Sequence, residues 1–438
     1  MIKGQSMNST DISKLKQYIL DIVQRELLRI QPSPDQHAEV TKTLIQRAYE
    51  SSKVQLSRPM AQDLMKQIYN NISGFGPIQP LLDDPEITEV MINGPKNIFV
   101  ERKGKVTRAR VMFESEDEIR RVVDRIIEPL GRRIDEKSPM VDARLPDGSR
   151  VNAIIPPCAI DGSTVTIRKF SKERLTVNDL IRFGSMTPEM AKFLHACVGS
   201  RMNIIISGGT GSGKTTTLNI LSSYIPSDER IITIEDAAEL QLQQDHVVRL
   251  ETKPPDVEGK YEVTIRSLVR NALRMRPERI IVGECRGGEA IDMLQAMNTG
   301  HDGSMTTVHA NTPRDSISRL ETLCLMAGMD LPVEVIRRQI ASAVDVIVQQ
   351  SRLRDGSRKI TNISEIVGME GDTVVMTDLF KFDEQGMQNG KLIGELKSTG
   401  IRPQFMPKLK MAGFKLGPDI FGLGGTTSSL GSRSRSHR

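Results

Sequence analysis

Apolar residues recur at helical spacing through the first part of the chain, from about residue 10 to residue 72. Three stretches have this period, and they are separated near Pro32, Pro34 and Pro59. Proline disrupts a helix interior because it lacks the backbone N–H donor. The pattern therefore predicts three helices within an N-terminal helical region, residues 1–72.

Residues 73–170 change to short apolar runs separated by turns, which predicts a small α+β domain. The expected strands cover 87–93, 98–102, 106–112, 140–144, 150–155 and 164–170, and one helix is expected at 114–130. Residues 145–148 have the composition of a hairpin turn between two of these strands. A polar and charged segment, residues 171–176, follows and is predicted to be a linker.

From residue 177 to 423, helical and strand patterns alternate. Alternation of this kind predicts an α/β domain with a mainly parallel sheet covered on both faces. Its last β patterns, at 346–350, 359–369 and 374–382, predict an antiparallel appendage. Residues 424–438 are rich in glycine, serine and basic side chains, so we expect a disordered basic tail.

Composition and charge bear on whether the chain binds nucleic acid, spans a membrane, or holds disulfides or zinc. Lys plus Arg outnumber Asp plus Glu by 60 to 55, and the net charge of +5 is spread along the chain, which gives weak support to nucleic-acid binding. No stretch approaches the roughly 18 uncharged apolar residues that span a bilayer, and the first residues have no apolar signal core. The four cysteines lie far apart without a C-x-x-C pair, so neither a disulfide framework nor a zinc site is predicted. We expect a cytoplasmic protein.

The strongest chemical signal is a phosphate-binding loop that follows an apolar strand pattern and precedes a helical one. Its spacing matches G-x-x-x-x-G-K-[ST], in which backbone N–H groups surround phosphates, the lysine reaches the terminal phosphates and the hydroxyl ligates Mg²⁺. A helix N-terminus adds unpaired N–H groups and partial positive charge. The nucleotide-binding residues predicted on this basis are Gly208, Gly209, Thr210, Gly211, Ser212, Gly213, Lys214, Thr215 and Thr216.

Two apolar strand patterns end in carboxylates. Residues 280–283 lead to Glu284, and residues 231–234 lead to Glu235 and, four positions later, Glu239. Open α/β sheets bind ligands at the carboxyl ends of their strands. Hydrolysis of a nucleoside triphosphate needs a carboxylate that orients Mg²⁺ and a group that aligns the attacking water. We therefore predict that Thr215 and Glu284 hold Mg²⁺, partly through water.

Two histidines, His301 and His309, flank the strand predicted at 304–308. A single histidine is more often structural than catalytic. As a pair beside a strand expected to neighbour Glu284, these two are predicted to sense the γ-phosphate. Zinc is not expected, because no third ligand of suitable type stands at metal-site spacing.

Taken together, these motifs resemble the type II/type IV secretion ATPase superfamily, and most closely the CpaF-type ATPases of tight-adherence (Flp) pilus assembly. The resemblance covers about residues 60–350 and rests on several segments in the family's order. These segments are 74–82, 144–150, 166–170, 208–215, 234–240, 273–277, 283–289 and 300–313. The resemblance implies a RecA-like P-loop motor domain, preceded by a small PAS-like α+β domain and the N-terminal helical segment.

The resemblance also implies roles for individual residues, beside the lysine of the loop. Residues 234–240 resemble the family's aspartate box, so Glu239 would polarise the attacking water, with Glu235 as the alternative base. Glu284 matches the acidic Walker B position, and both histidines fall in the histidine box. Two arginines of the smaller domain would reach the nucleotide phosphates, and these are Arg150 and Arg168.

For the whole protein, the resemblance implies a homo-hexamer that uses ATP and Mg²⁺ and acts on pilus or secretion platform proteins of the inner membrane. It would associate with that membrane peripherally. Some relatives carry a four-cysteine zinc module that Cys158, Cys197, Cys285 and Cys324 do not reproduce, so no zinc is expected.

Two other functions are compatible with a phosphate-binding loop. A DNA or RNA translocase would favour a basic stripe with interleaved aromatic residues. Its signs are weak, since the chain has no Trp and 4% aromatic residues, and no nucleic-acid partner is expected. A nucleotide-gated scaffold without hydrolysis would lack a catalytic acid, whereas both Glu239 and Glu284 are present.

Overall fold

The computed structural model describes residues 9–102, 104–170, 174–255, 259–388 and 390–422. The chain forms two compact units that divide between Lys172 and Glu173. The expected basic tail, 424–438, lies outside the described residues, as do residues 171–173 of the expected linker. The finer division of the chain made above stays a prediction.

From Ser9 onward, the described part of the first unit starts with three helices: α1 (Ser9–Ile30), α2 (Pro34–Ser51) and α3 (Arg58–Ser73). Prolines stand in the first turns of α2 and α3, where the missing N–H would have no intrahelical partner. Ile19, Val23 and Ile68 are fully buried in a core that these helices share. The helical periodicity of the sequence therefore predicts these three helices correctly.

The rest of the first unit is a helix on an antiparallel sheet. Its elements are α4 (Gln79–Asp83), β1 (Ile87–Asn93), β2 (Ile98–Arg102), β3 (Lys105–Arg108), α5 (Glu116–Ile127), β4 (Met140–Arg144), β5 (Arg150–Ile154) and β6 (Thr164–Arg168). The strand order is β3-β2-β1-β6-β5-β4. Ser115 caps α5, and three acidic residues occupy its first turn, which favours a helix start there. Apolar side chains of α5 and of the strands form one core.

One expected strand of this unit is shorter than predicted. The pattern at 106–112 predicts a strand, but β3 ends at Arg108. Beyond it the backbone N–H of Phe113 donates to the carbonyl of Pro95, and the Phe113 side chain is buried. The apolar residues after Arg108 therefore lead the chain back to the core and do not extend the sheet.

The second unit alternates helices and strands around one sheet. Its elements are α6 (Val177–Arg182), α7 (Pro188–Gly199), β7 (Ile204–Gly208), α8 (Lys214–Ser222), β8 (Ile231–Glu235), β9 (Val247–Glu251), α9 (Ile265–Ala272), β10 (Arg279–Cys285), α10 (Glu289–Asn298), β11 (Met305–Val308), α11 (Pro313–Leu325), α12 (Val333–Ala343), β12 (Val346–Arg352), β13 (Arg358–Glu370), β14 (Thr373–Gln388), β15 (Lys391–Ser398) and α13 (Met406–Met411). Within the described residues, the nine strands of this sheet have the order β15-β14-β13-β12-β7-β11-β10-β8-β9.

Neighbouring strands from β12 to β9 are parallel, and β12 to β15 are antiparallel. The expected α/β class with an antiparallel β appendage is confirmed, with one correction: β12, predicted as part of the appendage, also pairs in parallel with β7 and so belongs to the central sheet. The sequence patterns missed β9 and β15, the two edge strands. Their side chains are largely half-buried or exposed, so they lack the continuous apolar run of the central strands.

Alternate residues of the central strands enter two different cores, one on each face of the sheet. Ile204 and Ile206 of β7 belong to one core, and Ile205 belongs to the other. Strands buried on both faces read as unbroken apolar runs, which accounts for the isoleucine triplet.

Asn203 secures the start of β7. Its side-chain NH₂ donates to the carbonyls of Met297 and Ala343, at 3.3 and 2.7 Å. Its side-chain oxygen accepts from the backbone N–H groups of Gly303 and Ser304, at 2.8 and 3.1 Å. This buried amide therefore joins β7 to the ends of α10 and α12 and to the start of β11.

Candidate nucleotide-binding site

The predicted phosphate-binding loop connects β7 to α8, as its sequence context requires. Residues 209–213 form the connection, and Lys214, Thr215 and Thr216 open α8. A Cβ atom on Gly208 would lie 2.3 Å from the carbonyl oxygen of Gln350, so only glycine fits there. Gly213 has φ +99°, in the left-handed region that glycine adopts without strain. The loop conformation therefore depends on these two glycines.

Internal hydrogen bonds close the loop on itself. The Ser212 hydroxyl donates to the Gly209 carbonyl at 2.9 Å, and the Lys214 ammonium donates to the same carbonyl at 3.2 Å. Partial burial lowers the pKa of Lys214, and the nearby Glu284 carboxylate acts in the opposite direction. An ammonium at a helix N-terminus, surrounded by backbone N–H groups, forms an anion site of the kind that holds phosphates.

The ends of β8 and β10 bring carboxylates to the same edge of the sheet. Val282 pairs with Ile234, so Glu284 lies beside Asp236 at the ends of adjacent parallel strands. Arg286 joins them: its guanidinium donates to Glu284 Oε2 at 2.9 and 2.6 Å and lies 3.4 Å from Asp236 Oδ2. Arg286 is not among the predicted site residues, although it lies two residues after the strand-end glutamate and within the segment 283–289 that carries the family resemblance.

Glu235, the last residue of β8, is buried, with 3% of its surface exposed. Its Oε1 accepts hydrogen bonds from the backbone N–H groups of Glu239 and Leu240, at 2.9 and 3.0 Å. Its Oε2 is buried and accepts no hydrogen bond from the described residues. Burial raises the pKa of Glu235 to about 7, and the two backbone hydrogen bonds act in the opposite direction. Glu239 is half-buried in the segment that follows β8.

The two predicted histidines do not lie together. Val308 pairs with Ser207, so His309, which follows β11, is at the edge that carries the phosphate-binding loop, and its side chain is exposed. His301 precedes β11 and its Nδ1 lies 3.0 Å from the carbonyl of Pro277, just before β10. The four residues of β11 place His301 about 13 Å or more from that edge.

The prediction that His301 and His309 act as a pair at this edge is therefore corrected for His301. Residues before and after a parallel strand emerge at opposite edges of the sheet, and proximity in sequence does not bring them together. Histidine 309 alone remains a candidate beside the loop.

Two side chains from the β appendage lie against the loop and were missed by sequence reasoning. Gln350 accepts a hydrogen bond from the Thr217 hydroxyl at 2.7 Å, and the Arg358 Nε donates to the Gly211 carbonyl at 2.8 Å. Both depend on β12 pairing directly with β7, where Gln350 faces Gly208. No local sequence pattern predicts that pairing, because the two strands are more than a hundred residues apart.

The remaining predicted residues, Arg150 and Arg168, belong to the first unit. They are cross-strand partners on β5 and β6, and both side chains are exposed. Arg144 pairs with Arg150 from β4, so three arginines form a row across the sheet. The reach of Arg150 and Arg168 to nucleotide phosphates stays a prediction.

The residues at the loop edge fit a magnesium nucleotide by their chemistry. Mg²⁺ prefers hard oxygen ligands and is usually held by one or two side chains together with substrate phosphates. Thr215 offers a hydroxyl in the first turn of α8, and Glu284 offers a carboxylate at the end of β10. A Cβ atom on Gly209 would meet only Asn311 Oδ1, at 3.9 Å, so there is open space beside the loop at that position.

Comparison with known proteins agrees with this arrangement. The family described as "Type II/IV secretion system protein" matches residues 71–393. The chain belongs to this family. The match covers the sheet domain of the first unit and most of the second unit, and it leaves α1, α2, most of α3 and α13 outside.

Individual members of the secretion family are similar over most of their length. A protein of Mycobacterium tuberculosis whose name assigns it to conjugal transfer is 36% identical over 319 residues, which is 72% of this chain and 90% of the relative. The type IV secretion system protein VirB11 of Brucella suis is 35% identical over 318 residues, covering 66% of this chain and 88% of VirB11.

The crystal structure of the Brucella suis VirB11 ATPase with sulphate has 34% identity and a TM-score of 0.36, covering 66% of this chain and 91% of that one. The mixed α/β fold, with a smaller unit before a larger unit that is built on a mainly parallel sheet, is as predicted. The RecA-like and PAS-like descriptions of the two units stay predictions. Among the described residues, no helix is long and apolar enough to cross a membrane.

Proposed function

We propose that this chain is an ATP-hydrolysing motor that works as a homo-hexamer and powers pilus assembly or secretion through an inner-membrane platform. We assign it to the CpaF-like, tight-adherence type, in the cytoplasm at the inner membrane. The observation that carries the proposal is the meeting of the phosphate-binding loop with Glu284, His309 and the segment that follows β8 at one edge of the sheet. Membership of the secretion family supports it.

Nucleotide binding is assigned to the loop and the start of α8. Backbone N–H groups of residues 209–213 would surround the phosphates, and Lys214 would exchange its hydrogen bond with the Gly209 carbonyl for one with phosphate. Thr215 and Glu284 would hold Mg²⁺. When bound, the ion neutralises charge on the phosphates.

Hydrolysis needs a water aligned with the γ-phosphate, and Glu239 is the residue we assign to this task. Its segment begins at the end of β8, beside the strand that carries Glu284. His309 would contact the γ-phosphate from the end of β11. Arg150 and Arg168, from the first unit, would add positive charge to the phosphates in the closed site, and closure would couple hydrolysis to movement. No zinc site and no nucleic-acid partner enter this proposal.

The proposal is tested by ATP hydrolysis of the purified protein, with Glu284→Ala as the control, measured with and without single- and double-stranded DNA. Slow turnover that depends on Glu284 and is indifferent to DNA is the expected result. Strong stimulation by DNA would contradict the secretion motor and favour a nucleic-acid translocase. Normal turnover in Glu284→Ala would contradict the assignment of the site.

A further inference from the structure

Two glutamates lie at the end of β8 and in the segment after it, Glu235 and Glu239, and their geometry indicates different roles. Glu235 Oε1 accepts two backbone N–H groups, those of Glu239 and Leu240, at 2.9 and 3.0 Å. The carboxylate thus lies under the segment and binds it at two consecutive positions. Glu239 contributes its amide to this contact, and its side chain is half-buried.

We propose that Glu235 is a positioning residue: it fixes the backbone at Glu239 so that the Glu239 side chain can align the attacking water, and Glu235 does not itself activate water. This inference rests on the proposed hydrolysis of ATP. It decides between the two glutamates that the sequence leaves as alternatives.

Burial argues against Glu235 as the base. A general base must come within about 2.6–3.2 Å of the water it activates, directly or through one further water. Glu235 is 3% exposed, and its side chain runs along the neighbouring strand: a Cβ on Gly283 would lie 3.0 Å from Glu235 Cγ. One carboxylate oxygen is occupied by the two amides and the other is buried.

The hydrogen bonds from Glu239 and Leu240 explain why the segment needs Glu235. Leu240 is 1% exposed, so its N–H has no access to water if the acceptor is removed. The neighbouring anchors of the segment are the Ala238 N–H on Glu251 and the Gln241 N–H on Asn219. These two would remain, so loss of Glu235 should displace the middle of the segment while its ends stay in place.

A matched set of variants distinguishes a positioning residue from a base. Glutamine retains a carbonyl oxygen that can accept both N–H groups but cannot take a proton from water, whereas alanine retains neither property. We expect Glu235→Gln to keep kcat within about three-fold of wild type. Glu235→Ala should lose about 10- to 100-fold in kcat, since small misplacements of catalytic groups cost up to about 100-fold.

KM for ATP should change little in both variants, because the phosphate-binding loop is held by separate hydrogen bonds. Glu239→Gln is the comparison: it should lose turnover although it preserves size and hydrogen bonding. If Glu235→Gln were as inactive as Glu239→Gln, Glu235 would be the base and the proposal would be wrong. Full activity of Glu235→Ala would overturn it equally.

Amide hydrogen exchange gives a second measurement that does not depend on turnover. The N–H groups of Glu239 and Leu240 should be protected in wild type and in Glu235→Gln, and should exchange faster in Glu235→Ala. Unchanged exchange in Glu235→Ala would overturn the positioning role. A wild-type protein that binds ATP without hydrolysing it would instead refute the proposed function, and the exchange data would still decide whether Glu235 holds the segment. Thermal melting of each variant controls for folding.

Discussion

Replacement of Asn203 by alanine should destabilise the second unit more than replacement of a polar residue on the surface. The side chain makes four hydrogen bonds to backbone groups, all in the interior. Asparagine 203 is 4% exposed, so water cannot replace it. At about 1 kcal/mol for each of the four bonds, the loss is at least about 4 kcal/mol, and the buried groups left unpaired add to it.

The assay is differential scanning calorimetry of the full chain. For a domain of this size, 4 kcal/mol corresponds to a fall in the melting temperature of the second unit of about 10 °C. Asn298→Ala is the matched control, because its side chain makes one exposed 3.4 Å contact with the Gln339 carbonyl. That variant should melt within about 2 °C of wild type, as surface substitutions generally cost little. An Asn203→Ala protein that melts like the Asn298→Ala control would refute the reasoning.

Three further predictions concern the loop edge. Gly208→Ala should abolish ATP binding, because its Cβ would lie 2.3 Å from a carbonyl oxygen. Gly209→Ala should still bind ATP, because its Cβ would meet only a side-chain oxygen at 3.9 Å. Equal binding of ATP by the two variants, measured by calorimetric titration, would contradict this. The raised pKa of Glu235, about 7, means that the folded protein keeps a proton that the unfolded chain has lost, so stability should fall as pH rises from about 4.5 to 7. In urea unfolding, Glu235→Gln should reduce this fall in the free energy of unfolding by about 3 kcal/mol. Identical pH profiles of the free energy of unfolding for wild type and Glu235→Gln would refute the pKa shift. Arg286→Ala should lower the Mg²⁺ concentration for half-maximal turnover by up to about five-fold, since exposed ion pairs such as that with Glu284 contribute about 0.2–1 kcal/mol. A higher Mg²⁺ requirement would show that Arg286 helps to hold the ion.

Much of the edge could be predicted because its parts are local in sequence. The loop from Gly208 to Thr215 has a fixed spacing between a strand and a helix, and both neighbours form as expected. Glu284 and Glu235 end strongly apolar runs, and apolar runs in an alternating α/β pattern become parallel strands with a common carboxyl edge. Local patterns thus place the loop and both glutamates at this edge.

The rest depends on contacts between distant parts of the chain. Gln350 and Arg358 reach the loop because β12 pairs with β7. The sequence of an apolar strand such as β12 does not show which other strand it pairs with. Proximity in sequence groups His301 with His309, although a parallel strand places them at opposite edges. Burial of Glu235 likewise follows from its neighbour Gly283 on β10, a contact between strands that are not adjacent in sequence.

The central claim is that the chain hydrolyses ATP at the loop between β7 and α8, and Lys214→Ala tests it most directly. Steady-state phosphate release would be measured for wild type, for Lys214→Ala and for Lys192→Ala, which removes an exposed lysine of α7. We expect Lys214→Ala to lose about 100-fold or more of the turnover, because a fixed cation at the phosphates would be missing, while it melts like wild type. Lys192→Ala should retain full turnover. Normal phosphate release by a folded Lys214→Ala protein would contradict the account.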